Sequence, residues 1–136
     1  MIGILVLTHG ELGQQFINTA RLIGLNSEDS LIALSIDPGD SPDSLRNQIA
    51  DSIKKVGQGN GVLILTDLFG GTPTNLSLAF LQEGSVEVVT GLNLPMIIKA
   101  VNSRNEQDLT GLAKLVADAG KENIYLAGEF LRRRMK

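Results

Sequence analysis

Apolar residues follow two alternating patterns along this chain. Short apolar runs predict β-strands, at residues 2–7, 30–36, 62–66 and 86–90. Segments with apolar residues three or four positions apart predict helices, near residues 12–23, 42–56, 72–81, 95–101 and 108–119. Strands that alternate with helices are typical of parallel βαβ units. The pattern therefore predicts an α/β protein built on a mostly parallel sheet.

Several residues predict where the helices begin and end. Gly24 suits the C-terminal cap of the first helix, and Ser41 followed by Pro42 suits the start of the second. Thr72 predicts the N-cap of the third helix, and Gly120 predicts the end of the last. The spacing in the first helix predicts one buried face, made of Leu12, Phe16, Ala20 and Ile23.

Composition narrows the classes of protein to which the chain can belong. Its 136 residues form one domain with room for a full core. The absence of cysteine excludes disulfides and thiolate chemistry, and a single histidine gives no basis for a zinc site. A net charge of −3 argues against a nucleic-acid binder. No apolar run approaches the ~20 residues of a membrane span, and the apolar N-terminus indicates a strand and not a signal peptide. We expect a cytoplasmic protein without direct membrane insertion.

Two candidate catalytic residues follow predicted strands. His9 comes directly after the first strand, and Asp67 comes directly after the third. Because chemistry in open α/β sheets occurs at the carboxyl ends of the strands, both are expected at one edge. A carboxylate beside an imidazole can fix its tautomer and leave the other ring nitrogen free to attack. The alternative is that His9 and Asp67 are both inert turn residues, and this remains open from the residues alone.

A glycine-rich loop follows Asp67 and could hold an anion. Gly70 and Gly71 permit backbone conformations that turn successive N–H groups toward one point, and Thr72 adds a hydroxyl. Thr8 offers a second hydroxyl next to the histidine. The same loop also suits a tight turn with a helix cap, and the two interpretations are compatible. Phe69 either covers the site, meets a partner or packs.

These motifs resemble one known family. Thr8-His9-Gly10, the stretch Asp67–Asn75 with the sequence DLFGGTPTN, and Gly91–Met96 with the sequence GLNLPM look like the mannose-family enzyme IIA domain. That domain is a phosphocarrier of the phosphoenolpyruvate-dependent sugar phosphotransferase system. The resemblance covers the chain from Met1 to about Leu126, and the middle motif is long and specific.

The resemblance implies a function and a set of partners. His9 would accept a phosphoryl group from the phosphohistidine of HPr and pass it to a IIB component, with Asp67 hydrogen-bonded to His9. Membrane IIC and IID components would take part indirectly. Such transfer requires positioning and charge stabilisation but no metal or other cofactor. The expected fold is a three-layer α/β/α sandwich with a mostly parallel sheet in the order 2-1-3-4.

Three alternative functions would use the same His9 site or a related fold. A regulatory phosphoprotein would use the same His9 phosphorylation to signal carbon or phosphoenolpyruvate status. A phosphocarrier subunit of a dihydroxyacetone kinase is related in fold, although Gly70-Gly71-Thr72-Pro73 fits the mannose type better. A hydrolase could use His9 and Asp67 as an acid–base pair, but no serine, cysteine or metal cluster supports this function.

The C-terminal part of the chain falls outside the core pattern. We assign residues 1–127 to the IIA domain and residues 128–136 to a basic C-terminal tail that contains Arg132-Arg133-Arg134 and Lys136. Residues 124–126 form a short apolar run that could be a fifth, antiparallel edge strand. The family implies a homodimer in which this strand is exchanged between subunits.

Overall fold

The computed structural model describes residues 1–135, and the elements alternate as the sequence pattern predicts. The strands are β1 (Gly3–His9), β2 (Leu31–Ile36), β3 (Val62–Thr66) and β4 (Val86–Val89). The helices are α1 (Leu12–Ile23), α2 (Pro42–Val56), α3 (Thr72–Leu78), α4 (Leu94–Ser103), α5 (Leu109–Glu122) and α6 (Ala127–Arg134). Lys136, the last residue of the predicted tail, lies outside the described residues.

All four strands are parallel and lie in the order β2-β1-β3-β4, which confirms the predicted sheet. The register aligns His9 with Ile36 across β1 and β2, and Leu7 with Thr66 across β1 and β3. The two central strands therefore end at the same edge. As a result, the residues that follow β3 emerge beside the end of β1.

The core has two halves because alternate strand residues face opposite sides of the sheet. Ile4 and Val6 of β1 face α1, α4 and α5, and Leu5 and Leu7 face α2 and α3. All four are fully buried. The result is the expected three-layer α/β/α sandwich, and the odd-numbered positions of β1, which include His9, face the α2–α3 side.

Two predicted helix boundaries are correct, and both ends of α3 are shifted. The N–H of Gly24 caps α1 by donating to Ala20, and the Ser41 hydroxyl accepts from the N–H of Ser44 at the start of α2. In α3, however, the N-cap is Gly71 and Thr72 is already helical. Pro73 suits this start because proline has no backbone N–H, and an N–H in the first turn of a helix has no acceptor within the helix. Helix α3 also ends at Leu78 and not near residue 81.

The predicted buried face of α1 is partly wrong. Leu12 and Ile23 are 46% and 61% exposed, whereas Gly13, Ile17 and Ala20 are buried. Residues 13, 17 and 20 share one helical face at spacings of four and three, so the true face is rotated from the predicted one. Both faces contain apolar residues, and the sequence pattern alone does not show which of them meets the sheet.

Gly120 does not end α5, which continues to Glu122. It is buried where α5 meets α4, and a Cβ at this position would lie 2.7 Å from the Met96 Sδ. The carbonyl of Gly120 also accepts a hydrogen bond from the Asn93 side-chain amide at 3.1 Å. This glycine therefore permits close contact between two helices and is not a cap.

Arg104 is a buried residue that joins α4 to the opposite, amino-terminal edge of the sheet. Its side chain is 1% exposed, and its guanidinium donates to the carbonyls of Ile2, Asp29 and Ser30. Burial lowers the pKa of Arg104 from its ordinary value, and the nearby Asp29 charge opposes this shift. Those three carbonyls lie just before β1 and β2, so Arg104 fixes the entry of both strands.

The C-terminal segment departs from the prediction. Within this chain, residues 124–126 pair with no strand, and the predicted fifth strand is not present in residues 1–135. The predicted tail contains a helix, α6, none of whose residues is buried. Ile124 and Leu126 are more than 70% exposed. Exchange of the segment between two copies stays a prediction.

Candidate functional site

His9 and Asp67 lie in contact at the carboxyl edge of the sheet. The Nδ1 atom of His9 lies 2.9 Å from Oδ2 of Asp67. The same Oδ2 accepts a hydrogen bond from the backbone N–H of His9 at 3.1 Å. Two features of the sequence produce this contact: β1 ends at His9, and β3, its neighbour in the sheet, ends one residue before Asp67.

The environment of this pair orients the imidazole. The Asp67 side chain is only 11% exposed, whereas the His9 side chain is 49% exposed. A carboxylate only accepts hydrogen bonds, so the neutral ring carries its proton on Nδ1. Nε2, the ring nitrogen that does not contact Asp67, then has a free lone pair. The other carboxylate oxygen, Oδ1, is buried and has no hydrogen-bond donor among the described residues.

Two buried threonines that the sequence analysis did not select hold the loop that carries Asp67. The Thr74 hydroxyl donates to the Leu68 carbonyl at 2.7 Å, and it lies 2.6 Å from the Thr66 hydroxyl. Because Thr74 uses its hydrogen on Leu68, Thr66 donates to Thr74. Both threonines are fully buried. In the sequence, these two threonines are marked only by their positions, Thr66 just before the DLFGGTPTN motif and Thr74 near its end. A hydroxyl at a core position does not itself show which group it will bond.

The glycine-rich loop passes directly over the imidazole. Gly70 has φ +86°, a left-handed conformation that favours glycine. A Cβ at Gly71 would lie 2.8 Å from Cε1 of His9. The loop is tied to α3 by Asn75, which donates to the carbonyls of Gly70 and Gly71 through its side chain and backbone respectively. Of the predicted phosphoryl-binding residues, Gly71 lies against the His9 ring and Thr72 lines a cleft together with His9. Gly70 has open space where its side chain would be.

Thr8, the fourth predicted phosphoryl-binding residue, is not brought to the site. Its side chain is fully buried and its hydroxyl accepts from the N–H of Gly13 at 2.7 Å. Strand alternation explains the correction, because neighbouring residues of β1 face opposite sides of the sheet. Thr8 faces α1 and supplies the cap that Glu11, the N-cap residue of that helix, does not provide.

A cleft of about 270 Å³ opens beside His9. The loop between β2 and α2 forms one wall, and the first turns of α3 form the other. Its lining residues include His9, Asp37, Pro38, Pro42, Thr72 and Leu76. At the rim, Leu68 and Phe69 are 60% and 75% exposed. Phe69 therefore projects from the loop and does not pack into the core.

Among residues 1–135, no group of three or more histidine, cysteine or acidic side chains is placed to hold a metal ion. No helix in the described part of the chain is both long and apolar enough to cross a bilayer. A larger cavity of about 640 Å³ lies between α4 and α5 and contains neither His9 nor Asp67.

Fold and site together define a parallel α/β domain with an oriented, half-exposed histidine at the carboxyl edge of its sheet. Residues 3–117 match the family described as "PTS system fructose IIA component", EIIA-man. The chain belongs to this family of IIA components of the sugar phosphotransferase system.

Known proteins of this family are similar over most of the chain. The fructose-specific EIIA component of Bacillus subtilis is 25% identical over 98% of this chain and 91% of its own length. The mannose-specific EIIAB component of Escherichia coli is 27% identical over 90% of this chain. The chain spans only 38% of the length of that relative.

Solved structures agree with the fold. The crystal structure of a phosphotransferase system component EIIA from Streptococcus agalactiae superimposes with a TM-score of 0.84 at 27% identity. The match covers 95% of this chain and 99% of the other. The layers and the strand order therefore belong to a fold that this EIIA component shares.

Proposed function

We propose that this protein is a phosphocarrier that accepts a phosphoryl group from phospho-HPr on Nε2 of His9 and passes it to a IIB component. One observation carries the proposal: the 2.9 Å contact between Nδ1 of His9 and Asp67, which leaves Nε2 as the free nitrogen of a half-exposed ring. Membership of the EIIA-man family supports the same function.

In the proposed transfer, the Nε2 lone pair of His9 forms a bond to phosphorus. The P–N bond of the donor phosphohistidine breaks, and its electron pair returns to the donor imidazole. His9 keeps its proton on Nδ1 and acquires positive character in the ring, which the adjacent Asp67 carboxylate stabilises. Because one P–N bond replaces another, the protein contributes position and charge stabilisation. The transfer to a IIB histidine is the same step with the roles exchanged.

The loop after Asp67 would receive the phosphoryl oxygens. Thr72 lines the cleft beside His9 and supplies a hydroxyl, and Gly71, which follows Gly70 in the turn, brings the backbone close to the ring. The exposed Phe69 would contact HPr or IIB, since an exposed aromatic ring at the rim of a site favours protein association. Thr8 is left out of this set because its hydroxyl is used in the interior.

The proposal includes a cytoplasmic homodimer. Tyr125 and Leu126 are exposed apolar residues just before α6, and β4 has an unpaired edge. An exposed apolar segment and an open strand edge favour pairing between copies. We propose that residues 124–126 of each copy add to the sheet of the other. Association with membrane IIC and IID components would then be indirect, through IIB.

Phosphorylation in a reconstituted system tests the function. The protein is incubated with phosphoenolpyruvate, enzyme I and HPr, and its intact mass is measured. We expect one added phosphoryl group per chain, labile in acid and stable in base, and none in His9→Ala. Label that survives this substitution, or that is stable in acid as a serine or threonine ester would be, contradicts the proposal. Omission of HPr is the control for direct transfer from enzyme I.

A further inference from the structure

We propose that Gly71 is a positioning residue for His9, required because a side chain at this position would displace the imidazole from Asp67. The proposal concerns the orientation and protonation of the ring, and it rests on the proposed function only for its effect on phosphoryl transfer. It gives Gly71 a steric role, separate from any contact of its backbone with a phosphoryl group.

The distances at Gly71 show that the imidazole occupies the place of a side chain. A Cβ at this position would lie 2.8 Å from Cε1 of His9 and 3.3 Å from Nε2. Carbon atoms in contact lie about 3.5–4.0 Å apart. An alanine at position 71 and the present orientation of the ring therefore cannot coexist.

The backbone of Gly71 does not itself require glycine. Its φ of −81° and ψ of 169° are ordinary extended values that any residue adopts. Gly70 is the opposite case, because it has φ +86° but open space where its side chain would be. One glycine of the pair is thus needed for the turn, and the other is needed for His9.

The ring, and not the protein backbone, is expected to give way in Gly71→Ala. The His9 side chain is 49% exposed and can rotate toward solvent, whereas the loop is fixed by the buried Thr66–Thr74–Leu68 network. Rotation moves Nδ1 away from the Asp67 oxygen that now lies 2.9 Å from it. Without that acceptor, the preference for a proton on Nδ1 is lost.

Nuclear magnetic resonance of the ring nitrogens tests this directly, because His9 is the only histidine of the chain. We expect the neutral ring of the wild-type protein to carry its proton on Nδ1. We expect Gly71→Ala to show a mixture of both tautomers or a proton mainly on Nε2. Gly39→Ala is the matched control, since Gly39 has open space around it and no left-handed backbone. This control should keep the wild-type tautomer.

Two further measurements separate a steric role from a general loss of structure. Gly71→Ala should unfold at a denaturant concentration close to that of the wild type, since the restriction that alanine places on the unfolded chain offsets the lost contact between His9 and Asp67. Its single-turnover transfer from phospho-HPr should fall by roughly ten- to a hundredfold, as expected for a misplaced reacting group. Gly70→Ala should be less stable because of its left-handed backbone, yet should keep the Nδ1 tautomer.

Specific results would overturn the proposal. It fails if Gly71→Ala keeps the wild-type tautomer, or if Gly70→Ala and Gly71→Ala lose both stability and tautomer to the same extent. The latter result would assign both glycines to loop conformation alone. Because the tautomer is measured without a phosphoryl donor, its result does not depend on whether HPr phosphorylates this protein.

Discussion

A single oxygen of Asp67 accepts hydrogen bonds from both the backbone N–H and the ring of His9, at 3.1 Å and 2.9 Å. The first bond fixes the end of β1 relative to the loop after β3, and the second fixes the ring relative to that end. Since Asp67 is largely buried and His9 is half exposed, the oriented ring is open to solvent while the carboxylate that orients it stays inside.

Loss of the Asp67 charge should slow transfer without unfolding the protein. Asp67→Asn keeps the shape but replaces a charged acceptor with an amide. A charge-assisted hydrogen bond is worth ~1.5–3 kcal/mol, and about 1.4 kcal/mol corresponds to a factor of ten in rate. We therefore expect transfer from HPr to slow by about ten- to a hundredfold in single-turnover measurements, with an unchanged circular dichroism spectrum.

Asp51→Asn is the control for this experiment, because Asp51 is an exposed residue of α2 that does not line the cleft beside His9. It should transfer at the wild-type rate. If Asp67→Asn is folded and equally fast, Asp67 is a turn residue only and the proposed role of the pair is wrong.

Removal of the Thr8 hydroxyl should reduce stability and leave the chemistry intact. Thr8→Val preserves the shape but leaves the N–H of Gly13 without its acceptor. Loss of such a cap costs about 1–2 kcal/mol. We expect this decrease in the free energy of unfolding in urea, with a wild-type transfer rate for the folded protein. A loss of phosphoryl transfer at unchanged stability would contradict this structural role and indicate that the Thr8 hydroxyl acts in the site.

Replacement of Arg104 tests the contacts at the other edge of the sheet. In Arg104→Met the carbonyls of Ile2, Asp29 and Ser30 each lose a charged donor. Hydrogen bonds to charged groups contribute about 1.5–3 kcal/mol, so we expect a loss of this size in urea unfolding. Arg46→Met, which removes an exposed ion pair with Asp43, should change stability by less than about 0.5 kcal/mol. Equal effects of the two substitutions would contradict the assignment.

Removal of residues 124–136 should convert the proposed dimer into a folded monomer. None of the residues of α6 is buried in its own chain, so the truncation leaves the core intact. We expect light scattering at micromolar concentration to give a dimer for the full chain and a monomer for the truncated one, with similar circular dichroism. A monomeric full-length protein would count against the exchange of residues 124–126.

The order and type of the elements could be predicted from local sequence. Each strand of the core is a short apolar run, and each run is followed by a segment with helical spacing, so the alternation appears without knowledge of any contact. Start signals such as Ser41-Pro42 are also local, since the capping hydroxyl and the N–H that donates to it lie three residues apart. The expectation that His9 and Asp67 share an edge follows from parallel strands alone.

Only the tertiary structure decided which apolar residues are buried and which polar side chains reach the site. Whether α1 buries Leu12 or Ile17 depends on how the helix is rotated against the sheet. The role of Gly120, which permits close packing and does not end α5, depends on its contact with Met96 in α4. Thr8 and His9 are neighbours in sequence, yet the pleat of β1 sends one hydroxyl into the interior and one imidazole to the rim. Local sequence determines which elements form, because hydrogen bonds and periodicity act over a few residues. Contacts between distant residues, such as Gly71 over His9, exist only when the whole chain is folded.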